Sequence, residues 1–434
     1  MKAKTTFLLL CICSLSLVRG QKLLTLEEAI KTALEKNYEV QIFRNQQAIT
    51  QLQNNSGNAG LSPTVSLNGN LNLSSLNSHQ EFNTGAVQDR SGAKASNLGV
   101  SLNASWTIFD GLKMFAVKKR LDLNERNAAV NLKAQMEQTV YSIISGYYAI
   151  ARVSKLLEVS KQNLAIYEER KKIADYKLSL GSGSKVDALL TQNLYNKAQS
   201  EIWQLELQLL NAKTQLNTLM AVSAAETYDC SDTTVVNYNP ELEELRKNYR
   251  LSNTGLLLSR QTEEATLQSV REARSGMFPY LQLNGAYNFT RNSSEAGIVF
   301  LNRQNGLSAG FTAGWTLFNG NKTNKLVKER TILAMNQSLQ TKQLEQELDA
   351  NVFIAYQSFT LQKKIVGMER QNLRDAAELL YISLARYKEG KAILLETMEA
   401  QKQLEEAQNR YYTALYALKM SETDLLKATG ALLN

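Results

Sequence analysis

The chain has 434 residues, 49 of them basic and 41 acidic, for a net charge of +8; 44% are hydrophobic, three are proline and one, His79, is histidine. A single histidine argues against metal–histidine chemistry or a His-based triad within one chain, and so few prolines, against the ~5% usual in proteins, leave room for very long helices. Three cysteines exclude a disulfide framework, because Cys11 and Cys13 fall in a segment expected to be removed, leaving Cys230.

That segment, residues 1–20, reads as a signal peptide. Lys2 and Lys4 precede an apolar run from Phe7 to Val18, and small residues Val18 and Gly20 frame a cut after Gly20. The run is short of the ~20 residues needed to span a bilayer. The residues before Cys11 and Cys13 lack the small side chains of a lipidation signal.

A helix is expected over 24–58, ending before Pro63, which disfavours α conformation in the residue ahead of it. Two strands follow, 64–74 and 97–109. In the first, Val65, Leu67, Leu71 and Leu73 alternate with Ser66, Asn68, Asn72 and Ser74. In the second, Leu98, Val100, Leu102, Trp106 and Ile108 alternate with Gly99, Ser101, Asn103 and Thr107. Period two over about ten residues matches a tilted transmembrane strand. The opposite face carries uncharged Ser, Thr, Asn and Gly, which argues against a soluble sheet lying on a core. A polar loop is expected over 75–96, with His79 as a solvated loop residue. A long helix over 111–180, a tight turn and a helix over 184–221 complete the set.

The same order then repeats: helix 240–276, Pro279, strands 280–290 and 307–318 about a polar loop 291–306, long helix 320–388, turn, and helix 391–430. Ser105-Trp106-Thr107-Ile108-Phe109-Asp110-Gly111 recurs as Gly314-Trp315-Thr316-Leu317-Phe318-Asn319-Gly320, a shift of 209 residues that also aligns Tyr147 with Tyr356 and Gly181 with Gly390. Upstream, Pro63 matches Pro279 at a shift of 216. Register held through strand-like and helix-like stretches together marks a duplication, with repeats over 21–230 and 231–434. Apolar residues at three- and four-residue steps, such as Val140, Ile143, Ile144, Tyr147 and Ile150, predict coiled-coil packing, with the interleaved Lys, Glu and Gln on solvated faces. Trp106 and Trp315 sit at the helix-proximal strand ends, where an interfacial aromatic girdle is expected.

Four strands cannot close a barrel, and an open sheet edge in lipid leaves backbone groups unsatisfied at several kcal/mol each. The strands must be pooled, eight from a dimer or twelve from a trimer. Helices ~105 Å long at 1.5 Å per residue continue directly from Gly111 and Gly320.

In this order the pieces resemble the TolC-like outer-membrane efflux proteins. They are the opening Leu26-Glu27-Glu28-Ala29-Ile30, the Ser62-Pro63 switch, the Trp-Thr-Ile-Phe-Asp-Gly strand exit and the Tyr387-Lys388-Glu389-Gly390 turn. The resemblance covers nearly the whole mature chain. It implies a mainly α fold with transmembrane β: a trimeric α/β barrel whose twelve shared strands continue into a periplasmic coiled-coil tube. It implies a homotrimer in outer-membrane lipid, acting as a passive exit duct for efflux or type I secretion. Its partners would be a periplasmic adaptor and an inner-membrane pump of RND or ABC type, with no cofactor, no catalysis and no nucleic acid. A plugged periplasm-spanning scaffold is the alternative.

The resemblance also implies site residues. The turns at Gly181, Ser182 and Gly183, and at Gly390 and Lys391, would meet the adaptor. Glu396 and Glu399, six and nine past Gly390, would ring a cation-attracting entrance. Asp187 and Tyr387 would belong to links that hold it shut. The sequence departs at Ala392, where the family pattern has arginine, with Lys391 adjacent.

Overall fold

The computed structural model describes residues 22–230, 238–296, 299–389 and 391–433. The expected signal peptide lies outside them, as does Gly390. In chain order the elements are β1 (Lys22–Leu24), α1 (Leu26–Lys36), α2 (Tyr38–Gln53), β2 (Thr64–Glu81), β3 (Val87–Phe109), α3 (Lys113–Ser179) and α4 (Lys185–Leu219). There follow β4 (Tyr228–Cys230), α5 (Leu242–Ser252), α6 (Thr254–Ser275), β5 (Tyr280–Ser294), β6 (Leu301–Gly314), α7 (Lys322–Lys388) and α8 (Leu394–Thr429). They fall into two compact units, one of residues 45–130 and 256–343, the other of the remainder.

The first unit carries an antiparallel sheet in the order β2-β3-β5-β6. Among the described residues neither edge, β2 nor β6, has a second neighbour. The apolar side chains stand in the open, Leu67 at 73% and Phe311 at 71% exposure, so the sheet covers no core of its own. All four strands depart from the expected bounds. The expected loops are mostly hairpin: β2 runs on to Glu81, β3 starts at Val87, and the chain reverses over 82–86, where Phe82 N–H donates to Ala86 O (2.9 Å). His79 is therefore a strand residue, paired across the hairpin with Asp89. These extensions lack alternation because both faces are largely polar; ladder hydrogen bonds, not burial, keep them extended. At the other end β6 stops at Gly314, not 318, because β5, its one partner among the described residues, begins at Tyr280 opposite Gly314.

The switch from helix to strand is pinned the same way in both repeats. Trp106 Nε1–H donates to Leu61 O (2.9 Å) and Trp315 Nε1–H to Met277 O (3.0 Å). After the strand, Gly111 adopts φ 72°, and a Cβ there would come within 2.5 Å of Ser275 O. Asp110 then accepts from Met114 N–H (3.0 Å), starting α3.

The second unit holds a core of Leu24, Ala29, Ala33, Ile143, Tyr147, Ile150, Leu216 and Tyr228. Its parallel β1–β4 pair was not foreseen; three-residue strands carry no periodicity. Buried Tyr147 donates its hydroxyl to Leu24 O (2.9 Å), fixing β1 on α3. Cys230 ends β4, and burial pushes its thiol up to about 12. The helices expected over 24–58 and 240–276 are each broken once, at Asn37 (ψ 129°) and Asn253 (ψ 118°). In each case the asparagine side chain bonds to a distant helix end, an interaction no local pattern reveals.

Candidate functional site

The candidate residues gather at the two helix turns of the second unit. At the α3–α4 turn, Gly181 sits at φ 71°. Ser182 and Gly183 N–H both donate to Lys177 O (3.0 and 2.9 Å). A Cβ on Gly183 would meet Leu178 N at 2.7 Å, so the reversal requires glycine there. Ser184 caps α4 through Val186 N–H (3.1 Å), and Asp187 lies exposed in its first turn, where a negative charge suits the helix dipole.

At the α7–α8 turn, Lys391 N–H donates to Arg386 O (2.8 Å). Gly390 falls outside the described residues. Lys391 Nζ pairs with Glu389 (2.7 Å), and α8 begins at Leu394 without a side-chain cap. Glu396 and Glu399 occupy its first two turns. Glu396 is ion-paired to Arg386 Nη1 (2.9 Å), whereas Glu399 is exposed and, among the described residues, accepts from Gln403 (3.4 Å). Arg386 thus supplies a cation that position 392 lacks. Sequence reasoning missed it because it lies ten residues before its partner, across the turn.

Tyr387 and Asp187 are not hydrogen-bonded to each other among the described residues. Instead the Lys177 ammonium lies 5.3 Å from the centre of the Tyr387 ring, a cation–π contact between the ends of α3 and α7.

Above the turns, α8 has two unlike contacts. Toward α7 it buries Ala400, Leu404 and Ala407 against Ala376 and Leu380. Toward α3 it meets a ladder of polar side chains. Asn163 Nδ2 donates to Gln408 (3.1 Å), the Tyr167 hydroxyl to Glu405 (3.2 Å), and Arg170 Nη2 to Thr397 O (3.3 Å). Gln401 is 1% exposed, so polar residues expected on solvated faces are in part interior. Burial raises the Glu405 pKa above the ordinary carboxylate value, and the neighbouring Glu201 adds to the effect. A cavity of about 540 Å³ runs along this ladder, bordered by Arg170, Glu201, Glu399 and Glu405. Among the described residues no three His, Cys, Asp or Glu side chains come together to hold a metal ion.

The fold has solved counterparts. The Vibrio cholerae outer membrane protein VceC superposes with a TM-score of 0.78 at 15% identity, covering 93% of this chain and 96% of that one. The Campylobacter jejuni CmeC outer membrane channel gives 0.80 at 14% identity, over 94% and 85%. The open state of the Neisseria gonorrhoeae MtrE outer membrane channel gives 0.73 at 16% identity, over 94% and 89%. No curated protein sequence matches the chain. The outer membrane efflux protein family matches over residues 29–222 and 245–431, that is, over both repeats. The chain belongs to the outer membrane efflux protein family, so its work is transport at the outer membrane rather than catalysis.

Proposed function

We propose that three copies of the chain pool their sheets into a twelve-stranded barrel and act as the passive exit duct of an efflux or type I secretion system. The observation that carries this reading is the four-stranded sheet with two unpaired edges, β2 and β6. Such edges are untenable in lipid unless another copy covers them. The uncharged Ser, Thr, Asn and Gly of the non-apolar strand faces then line the lumen, which favours a water-filled duct over a plugged scaffold. An inner-membrane pump of RND or ABC type supplies the energy, and a periplasmic adaptor docks at the tips formed by Gly181, Ser182, Gly183, Gly390 and Lys391.

Glu396 and Glu399 form the entrance ring. Three copies bring six carboxylates together, a constriction that attracts and is blocked by cations. Arg386 offsets part of that charge at Glu396.

Conductance of the purified protein in planar bilayers tests the duct. Steady, cation-selective openings are expected; a silent protein that still inserts into the bilayer would support the scaffold instead.

A further inference from the structure

Arg291 on β5 and Arg303 on β6 lie directly opposite each other. The β3–β5 and β5–β6 registers run unbroken from Leu283 to Ser293, so Arg291 shares a face with Leu283, Tyr287 and Phe289, and Arg303 with Leu307 and Phe311. That is the apolar face of the sheet. Like charges directly opposed on neighbouring strands destabilise each other, and neither guanidinium has a carboxylate partner among the described residues. An anion from outside the chain would relieve that repulsion.

A third cation lies on the same face. Lys94 of β3 is the counterpart of Arg303 at the 209-residue shift, so both hairpins are basic at this position. It sits four residues beyond Leu98, which opposes Arg291, and therefore ~13 Å farther out at ~3.3 Å per residue. Between them the Ser96 and Ser293 hydroxyls are 2.7 Å apart. A cavity of about 510 Å³ opens here, lined by Lys94, Ser96, Ser293, Glu295 and Phe300. The Glu295 carboxylate is turned to the Lys94 backbone N–H (3.0 Å).

The height of the patch also fits. Ten residues separate Leu281 from Arg291, ~33 Å along a strand and roughly 23 Å along the membrane normal at a ~45° tilt, close to the ~25 Å apolar band of such barrels. Arg291 and Arg303 fall at the outer edge of that band, since the hairpin ends lie away from the periplasmic helices.

We propose that this patch binds the phosphorylated headgroup of an outer-leaflet lipid. Arg291 and Arg303 clasp one phosphate, Lys94 takes a second anionic group of the same headgroup, and Tyr287, Phe289 and Leu307 bed its acyl chains. The proposal rests on the apolar sheet face meeting lipid, and is independent of whether the duct conducts.

Native mass spectrometry of the detergent-solubilised full-length protein tests it, with bisphosphorylated lipid A and the same lipid after phosphatase treatment as probes. Wild type is expected to retain the phosphorylated lipid roughly tenfold better. R291Q/R303Q loses that preference, while R291K/R303K keeps part of it. Equal retention of the two lipids by wild type, which needs no variant, overturns the proposal. Undiminished preference in R291Q/R303Q overturns it too, as does displacement of lipid A by an equal concentration of inorganic phosphate, which would indicate a free-anion site. Single-channel conductance of the same variants reports separately on the duct.

Discussion

Asn37 and Asn253 stand 216 residues apart and do the same work. Each ends one helix, and its side-chain amide donates to the final turn of another: Asn37 to Leu219 O (2.8 Å), Asn253 to Ala428 O (3.1 Å). Asn37 also accepts from Glu39 and Val40 N–H, starting α2. Alanine at either position removes a bond to a helix end, and a loss of about 1 kcal/mol or more is expected for each. Helical melting followed by circular dichroism should fall by several degrees in N37A and in N253A. Absent shifts would show that the brackets do not contribute as described.

Beside those carbonyls the two repeats differ. Both α4 and α8 end in a left-handed residue whose successor reaches back five residues: Val222 N–H to Asn217 O (3.0 Å), Ala431 N–H to Leu426 O (2.9 Å). The left-handed residue is Ala221 (φ 52°) in the first and Gly430 (φ 71°) in the second. A Cβ on Gly430 would meet Ser252 O at 2.5 Å. G430A should therefore destabilise by about 2 kcal/mol or more, and A221G stabilise by about 0.5–1 kcal/mol. Denaturant titrations of the two variants should move in opposite directions.

The internal duplication supplies the register of the proposed subunit seam. Moving β3 by 209 residues gives β6, and moving β5 back by 216 gives β2. The Thr107–Gln282 pairing then becomes Thr316 opposite Ser66 of the next copy. In a C230S background, T316C/S66C should cross-link into closed oligomers under oxidation, and T316C/N68C poorly. The reverse preference would mean a slipped register, and no product from either pair would count against a β6–β2 seam.

At the proposed entrance, Arg386 makes the two glutamates unequal. An exposed ion pair is worth only ~0–1 kcal/mol, enough to discount Glu396 relative to Glu399. E399Q should lower cation selectivity and divalent block more than E396Q, and E396Q/E399Q most of all. R386A should raise divalent block a few-fold. Single-channel recordings decide; unchanged selectivity in the double variant removes both residues from the gate.

Glu405 is faced by Tyr167 and Arg170 from α3, Lys197 and Glu201 from α4, and Gln401 from its own helix. Its raised pKa means that the folded protein holds this proton more tightly than the unfolded chain. The associated stability is present at acid pH and lost as pH rises past the ordinary value of 4.5. Burial acts in the same direction on Glu137. Melting temperature should therefore decline with pH above 4.5, less steeply in E405Q and least in E137Q/E405Q. An identical slope in wild type and both variants would exclude these carboxyls as its source.

What could be read from the sequence follows what each residue faces. Leu67 to Leu73 and Leu281 to Phe289 announce strands because one face is apolar, whereas Ser75 to Glu81 continue the strand with Leu76 as their one apolar side chain and read as loop. Long helices were legible from heptad-like spacing and scarce proline. The breaks in the helices expected over 24–58 and 240–276 were not, because an asparagine inside a helical pattern is ordinary and its partner carbonyl lies about 180 residues away. Arg170, Gln401 and Glu405 look like surface residues in a linear pattern; only the packing of α3 on α8 makes them interior. The candidate gate residues came from position relative to Gly390, which carries no information about Arg386.

That α3–α8 ladder also says something about why a duplicated chain is useful. The counterparts of Asn163, Tyr167 and Arg170 in the second repeat are Asn372, Ala376 and Leu379, and the last two cannot form such a ladder. A ring built from single hairpins would carry every side chain at every hairpin, so a polar seam on one side of a helix would be forced on all. Joining two hairpins in one gene breaks that symmetry without adding a component. One copy can keep polar contacts and the other an oily one, and mutations in either half can adjust them separately.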